Sequence, residues 1–298
     1  MTIRFDDKVA MVTGAGGGLG RAHALEFARR GAKVVVNDLG GSVDGTGGSS
    51  NAAESVVAEI IADGGEAISN GASVTDDAGV EHLIAAAMSA YGRIDVLVNN
   101  AGILRDRTIL NMTVEDFEAV IDVHLMGTVK PTRAVWPIMR EQEYGRVIVT
   151  TSSSGLYGNF GQSNYGAAKL SVVGLINTLK LEGQKYNIHC NAVAPVAYTR
   201  MTSDLFPPEA EQLMTPERVT PAVIYLAGED APNGVILCAG AGVFAKTEII
   251  ESHGAYLGQD ASAEDIARNW DKIADMSDAK TPFMGGEQTG KFFEMTVE

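Results

Sequence analysis

Residues 9–20 read VAMVTGAGGGLG: an apolar run, Val9–Thr13, that breaks into glycines at Gly14, Gly16, Gly17, Gly18 and Gly20. A short β-branched run ended by glycine is the pattern of a buried strand. The next stretch, Leu19–Arg30, has helical spacing and stops at the glycine of RRGAK. Strand, glycine turn and helix in that order place backbone N–H groups at a helix N-terminus, where a pyrophosphate can sit and glycine lets the chain approach it. Taken alone, such a turn also suits a flexible surface loop, so its surroundings decide.

Working outward, further apolar runs occur at Val34–Asn37, Val96–Val98, Val147–Thr150, Ile188–Val193 and Val235–Ala239. Helical stretches separate them: Ala52–Asp63, Ala78–Tyr91, Val114–Arg140, Asn164–Tyr186 and Pro216–Ala227. This alternation predicts an α/β protein with a doubly wound parallel sheet and helices on both faces. Residues 39–51 (LGGSVDGTGGSSN) read as a loop. Residues 1–242 are expected to form the catalytic domain, and residues 243–298 an accessory extension without a strong strand pattern. In that extension Ala263–Ala274 is an amphipathic helix candidate with Ile266, Trp270 and Ile273 on one stripe. Two readings of the tail stay open: a cover over an apolar edge with Trp270 as anchor, or a lining of the substrate pocket.

Asp38 closes the second strand, 18 residues past Gly20. A carboxylate there accepts hydrogen bonds from adenosine ribose hydroxyls and repels a 2′-phosphate. Its neighbours Asn37 and Leu39 supply no cation for such a phosphate, so NAD is expected rather than NADP.

Tyr165 and Lys169 lie four apart in NYGAAK and share one helix face. A free tyrosine titrates near ~10, and a neighbouring ammonium favours the phenolate, which suits proton transfer. Ser152, at the end of VIVTTS, can hydrogen-bond a carbonyl or hydroxyl beside the Tyr165 oxygen.

With these residues in order, the sequence resembles the short-chain dehydrogenase/reductase family. The matching elements are Thr13–Gly20, Asn99-Asn100-Ala101-Gly102, Ser152 and Tyr165 with Lys169. The resemblance implies a Rossmann-like sheet of about seven strands and oxidation of a secondary alcohol to a ketone by hydride transfer to NAD. It implies catalytic roles for Ser152, Tyr165 and Lys169, with Tyr165 as base and Lys169 lowering the tyrosine pKa. It also implies cofactor contacts at Gly14, Gly18, Leu19, Gly20, Asp38, Ser73, Val74, Asn100, Ala101, Gly102, Tyr165, Lys169 and Thr199. Three positions depart from the family pattern. His124 stands where an Asn is usual, leaving a proton relay through backbone carbonyl and water or through the imidazole. Ser73 replaces an adenine-contacting Asp, and Pro195-Val196 replaces Pro-Gly.

Asn37–Gly41, Asn99–Arg107 (NNAGILRDR), Gly155–Gln162 and Asn269-Trp270 also resemble one branch of the family, the (3R)-hydroxyacyl-CoA dehydrogenase domains of multifunctional enzymes. That branch implies (3R)-3-hydroxyacyl-CoA as substrate, a homodimer or higher homo-oligomer, and fatty acid β-oxidation as the setting. The alternative is a 17β-hydroxysteroid dehydrogenase. Asp38 counts against an acyl-carrier-protein reductase, and the intact Ser152, Tyr165 and Lys169 count against a non-catalytic dinucleotide sensor. Arg105 and Arg107 are either anchors for an anionic CoA or solvated surface charges.

The formal net charge of −15 argues against nucleic acid as partner, since phosphate contacts need clustered Lys and Arg. No apolar run approaches the ~20 residues that span a bilayer, so no membrane is expected. The five histidines are scattered singly, so no metal is expected. Cys190 and Cys238 fit two inert thiols in a reducing compartment or one disulfide. MTIRFDDKVAMVTG lacks a leader pattern and the chain shows no Ser-Lys-Leu ending, so a stand-alone cytoplasmic enzyme is expected.

Overall fold

The computed structural model describes residues 2–49, 51–202, 207 and 209–297. Its strands are β1 (Val9–Thr13), β2 (Lys33–Asn37), β3 (Glu66–Asn70), β4 (Val96–Asn99), β5 (Gly145–Thr150), β6 (Ile188–Val196), β7 (Ile236–Gly240) and β8 (Val243–Thr247). The helices are α1 (Gly18–Arg29), α2 (Asn51–Ala62), α3 (Asp77–Tyr91), α4 (Val114–Ile121), α5 (Gly127–Gln142), α6 (Ser153–Tyr157), α7 (Ser163–Gly183), α8 (Ala210–Leu213), α9 (Thr220–Ala227), α10 (Ala263–Arg268), α11 (Trp270–Ile273) and α12 (Gly285–Val297).

The strands form one sheet in the order β3-β2-β1-β4-β5-β6-β7-β8. The first seven pair in parallel, with Val12 opposite both Val36 and Val98. Side chains alternate across the pleat. Ala10, Val12, Val34, Val36, Val98 and Ile148 enter a core with Phe27 of α1, Val56 of α2 and Val223 of α9. Met11, Val35, Leu97, Val147 and Val149 enter a second core with Leu83 of α3, Val135 of α5 and Val172 of α7. Burying each such branched side chain contributes about 1.5–3 kcal/mol, which explains the unbroken apolar runs of the inner strands.

Two strands carry no such signature. β3 (EAISN) is an edge strand with only Asn70 buried. β8 (VFAKT) follows a two-residue link, Ala241 and Gly242, both at positive φ (51° and 81°). That link allows only an antiparallel return, so the seven expected parallel strands gain an eighth, reversed one. The chain divides into two compact units at Lys246/Thr247, because residues after Gly242 first join the sheet as β8.

The long helix expected over Val114–Arg140 is interrupted by a π turn at Asp122–Met126. Residues 247–298 form the second unit, held within itself by a bridge between Glu251 and Lys280 and by Lys291 donating to Ser252 O at 2.9 Å. A capping box of Ser262 and Asp265 starts α10. The single helix expected over 263–274 breaks at Asn269, and Trp270 is 58% exposed, so it anchors no core in this unit.

Both cysteines are free. The β6–β7 register pairs Cys238 with Ala194, four residues from Cys190, so the two lie roughly 13 Å apart along the strands. Burial pushes the Cys190 thiol up to about 12, which keeps it inert.

Candidate active site

The sheet reverses its winding between β1 and β4, and the chain leaving both strands builds one end of the site. Thr13 Oγ1 accepts from the backbone N–H of Asn100 at 3.0 Å and of Ala101 at 3.2 Å. Asn100 Nδ2 returns donations to Thr13 O and Gly14 O, both at 3.1 Å. The two motifs therefore brace one another. Gly14 stands at φ +63°, and a Cβ there would lie 2.8 Å from Ala101 Cα. At Gly20 a Cβ would come within 2.2 Å of Gly14 O, so glycine is required where α1 packs onto the turn.

This cradle fits a dinucleotide. The first N–H groups of α1 receive no side-chain cap from Gly17, and a Cβ at Gly17 would have open space around it. Uncapped helix donors at an open turn suit a pyrophosphate. Thr199 packs near the turn, its Cγ2 3.7 Å from where a Gly18 Cβ would stand. Leu19 is half-buried against the α1-side core.

Asp38 sits beside the turn. Its Oδ2 accepts from Gly16 N at 2.7 Å and its Oδ1 from Gly40 N at 2.6 Å. A Cβ at Gly16 would lie 2.8 Å from Asp38 Cγ, so this glycine admits the carboxylate. Past β3, Ser73 Oγ pairs with Thr75 Oγ1 at 2.9 Å, and the buried Val74 packs where a Gly127 side chain would have to be.

Ser152, Tyr165 and Lys169 come together from β5, α6 and α7. Ser152 caps α6, accepting from Ser154 N at 3.2 Å, and its hydroxyl hydrogen-bonds Tyr165. Lys169 Nζ donates to Thr150 O at 2.7 Å and lies 5.6 Å from the Tyr165 ring centroid. A Cβ on Gly155 would sit 2.8 Å from the Lys169 backbone, so glycine lets α6 cross α7 closely.

The electrostatics differ from the expected ones. Burial pushes Tyr165 up to about 12, against the lowering that the Ser152 hydrogen bond provides. Burial also pushes Lys169 down to about 7. Desolvation acts on both partners, so in the chain alone Lys169 does not bring the phenol toward neutrality. His124 is held neutral, well below the usual imidazole value, by burial and then by the Lys169 charge.

His124 lies on the π turn, a distortion that often marks functional sites. Its Nε2 is 2.8 Å from Ile103 O, and a Cβ on Gly102 would meet its Cε1 at 2.4 Å. Arg105 pairs with Asp116 at 3.1 Å and donates to Asp44 O at 3.0 Å, so its charge is already engaged. Arg107 is exposed. Three polar residues here, Asp106, Gln162 and Asn164, carry no site signal of their own in the sequence, although all three lie inside or beside quoted motifs. Their signal is uncharged or acidic side chains in segments that fold inward, visible only once burial is known: Asn164 is fully buried and Gln162 nearly so. Among the described residues, no three His, Cys, Asp or Glu gather as a metal site, and no helix is long and apolar enough to cross a membrane.

Residues 8–210 match the short chain dehydrogenase family. A Mycobacterium tuberculosis protein named as a short-chain type dehydrogenase/reductase is 52% identical over 275 residues, covering 92% of this chain and 96% of that protein. Mouse peroxisomal multifunctional enzyme type 2 is 49% identical over 297 residues, covering 98% of this chain and 40% of the enzyme. The structure of full-length peroxisomal multifunctional enzyme type 2 from Drosophila melanogaster superposes with a TM-score of 0.82 at 39% identity, covering 98% of this chain and 50% of that one. The chain thus spans half or less of these two multifunctional enzymes. They correct the cytoplasmic expectation, because these relatives are peroxisomal enzymes. From the matched residues, the glycine cradle and the Ser152–Tyr165–Lys169 cluster together, the chain belongs to the short-chain dehydrogenase family, as an oxidoreductase that uses a nicotinamide dinucleotide on CH–OH groups.

Proposed function

We propose that the chain oxidises (3R)-3-hydroxyacyl-CoA to 3-ketoacyl-CoA with NAD. The observation that carries this reading is the extent of the likeness to the type 2 multifunctional enzymes: 98% of the chain, well beyond the end of the family match at residue 210. Bound NAD supplies the hydride acceptor. Gly14, Gly18, Leu19 and Gly20 receive the pyrophosphate side, with Asp38 on the adenosine ribose. Ser73, Val74, Asn100, Ala101, Gly102 and Thr199 line the remaining contacts. Tyr165 takes the hydroxyl proton at its phenolic oxygen, Ser152 orients the hydroxyl as it becomes a carbonyl, and Lys169 serves the nicotinamide ribose. Asp38, whose carboxylate would repel a 2′-phosphate, favours NAD over NADP.

Residues 1–242 are read as the catalytic domain and 243–298 as its accessory extension, with the protein self-associating as a homodimer or higher homo-oligomer. The second reading, a 17β-hydroxysteroid dehydrogenase, uses the same catalytic residues. Comparing kcat/KM for (3R)-hydroxyacyl-CoA, its (3S) isomer and a 17β-hydroxysteroid, each with NAD, tests both. Preference for the (3R) thioester is the expected result, and preference for the steroid overturns it.

A further inference from the structure

The loop after Asn99–Gly102 is tied to the start of α7 by a part-buried polar link. Asp106 Oδ2 accepts from Gln162 Nε2 at 2.6 Å, while Asp106 Oδ1 is buried without a partner. Gln162 is nearly fully buried and its amide is committed: Oε1 accepts from Ser154 Oγ at 2.7 Å and from Asn159 Nδ2 at 3.0 Å. With the carbonyl side occupied, the amide nitrogen has to face Asp106. The Gln162 carbonyl accepts from Gly166 N at 2.7 Å, and residues 107 and 162 form a parallel bridge.

Asn164 repeats the tie one step on. Its Nδ2 donates to Arg105 O at 2.9 Å, and its Oδ1 accepts from Tyr165 N at 2.7 Å. From the other side, Leu104 N donates to Val43 O at 2.9 Å, which joins the Gly/Ser loop to the same segment.

We propose that Asp106 and Gln162 act as a positioning clamp that fixes the first turn of α7, and so the Tyr165 hydroxyl, relative to Ser152. Neither residue contacts the Gly14–Gly20 cradle, which Thr13 and Asn100 brace independently. The clamp therefore acts on turnover rather than on dinucleotide affinity. A misplacement of about 1 Å in a reacting group can cost roughly 100-fold in rate. This inference rests on Tyr165 being the base.

The test is a double-mutant cycle in the full chain: Asp106→Ala, Gln162→Ala and the pair, with Asp106→Asn as the conservative variant. Turnover is measured on whichever alcohol of the panel above the wild type oxidises best, so a wrong substrate assignment leaves the test intact. NAD affinity is measured by fluorescence titration. Each single variant is expected to lower kcat about tenfold or more with NAD affinity within about twofold, the pair to lose no more than the worse single, and Asp106→Asn to recover to within about threefold. If Asp106→Ala does not fold, Gln162→Ala carries the same expectation from the other side. Wild-type kcat in both single variants, or losses that multiply in the pair, overturn the clamp. Near-wild-type turnover in Tyr165→Phe instead overturns the base on which it rests.

Discussion

The rings of His124 and Tyr165 meet edge to face, centroids 5.1 Å apart and planes at 89°. The imidazole is neutral, its Nε2 is anchored on Ile103, and Thr128 Oγ1 donates to its backbone carbonyl at 2.7 Å. That carbonyl accepts one hydrogen bond and keeps a second lone pair, while Nδ1 is buried and without a partner. His124 packs edge-on against the tyrosine ring. Removing it in His124→Ala leaves a cavity beside the base, with an expected cost of about 2–4 kcal/mol and a fall in kcat of about tenfold or more. Denaturant unfolding and turnover measured together check this; a variant with unchanged stability refutes it.

Tyr165→Phe removes the hydroxyl and keeps the ring. NAD affinity should stay near wild type while turnover falls by about three orders of magnitude or more. Steady-state kinetics alongside a cofactor titration separate the two.

Ser152→Ala removes the one contact that lowers the Tyr165 pKa, leaving burial unopposed. Oxidation needs the phenolate, whose fraction rises with pH. The rising limb of kcat/KM should therefore move to higher pH in the variant, and kcat should fall about 100-fold. A pH–rate profile with an unmoved limb contradicts the role.

Lys169 titrates near 7 in the fold against 10.5 in a free side chain, because it is buried. Between those values the unfolded chain binds more protons, so this group makes stability rise with pH from about 7 to 10.5. Below 7 the cost of the buried ammonium is fully present. Lys169→Met should then be more stable than wild type at pH 7, on the order of 1–3 kcal/mol, with the gap closing toward pH 10. Melting curves across that range test it.

Asp38→Ala removes the carboxylate that receives Gly16 and Gly40 N–H groups. NAD affinity should drop about tenfold and discrimination against NADP should relax. An unchanged ratio of the two affinities counts against the ribose role.

What the sequence determined by itself was whatever depends on local periodicity and on spacing along the chain. The inner strands were legible because both faces are buried, so their residues are uniformly apolar. The glycine cradle was legible because only glycine fits at Gly14 and Gly20. Ser152, Tyr165 and Lys169 were legible as residue types at ordered spacings. Edge strands β3 and β8 were not, since an edge buries little and needs no apolar run. Tertiary structure decided the rest. Only packing shows that the helix carrying His124 turns through a π segment, that Arg105 is engaged by Asp116, and that Asp106 reaches Gln162 across 56 positions. It also adds desolvation, which pushes Tyr165 up and Lys169 down. The spacing of Tyr165 and Lys169 predicts a cation beside a phenol. In the fold both are desolvated, and desolvation is a property of the surrounding packing, which no local stretch of sequence encodes.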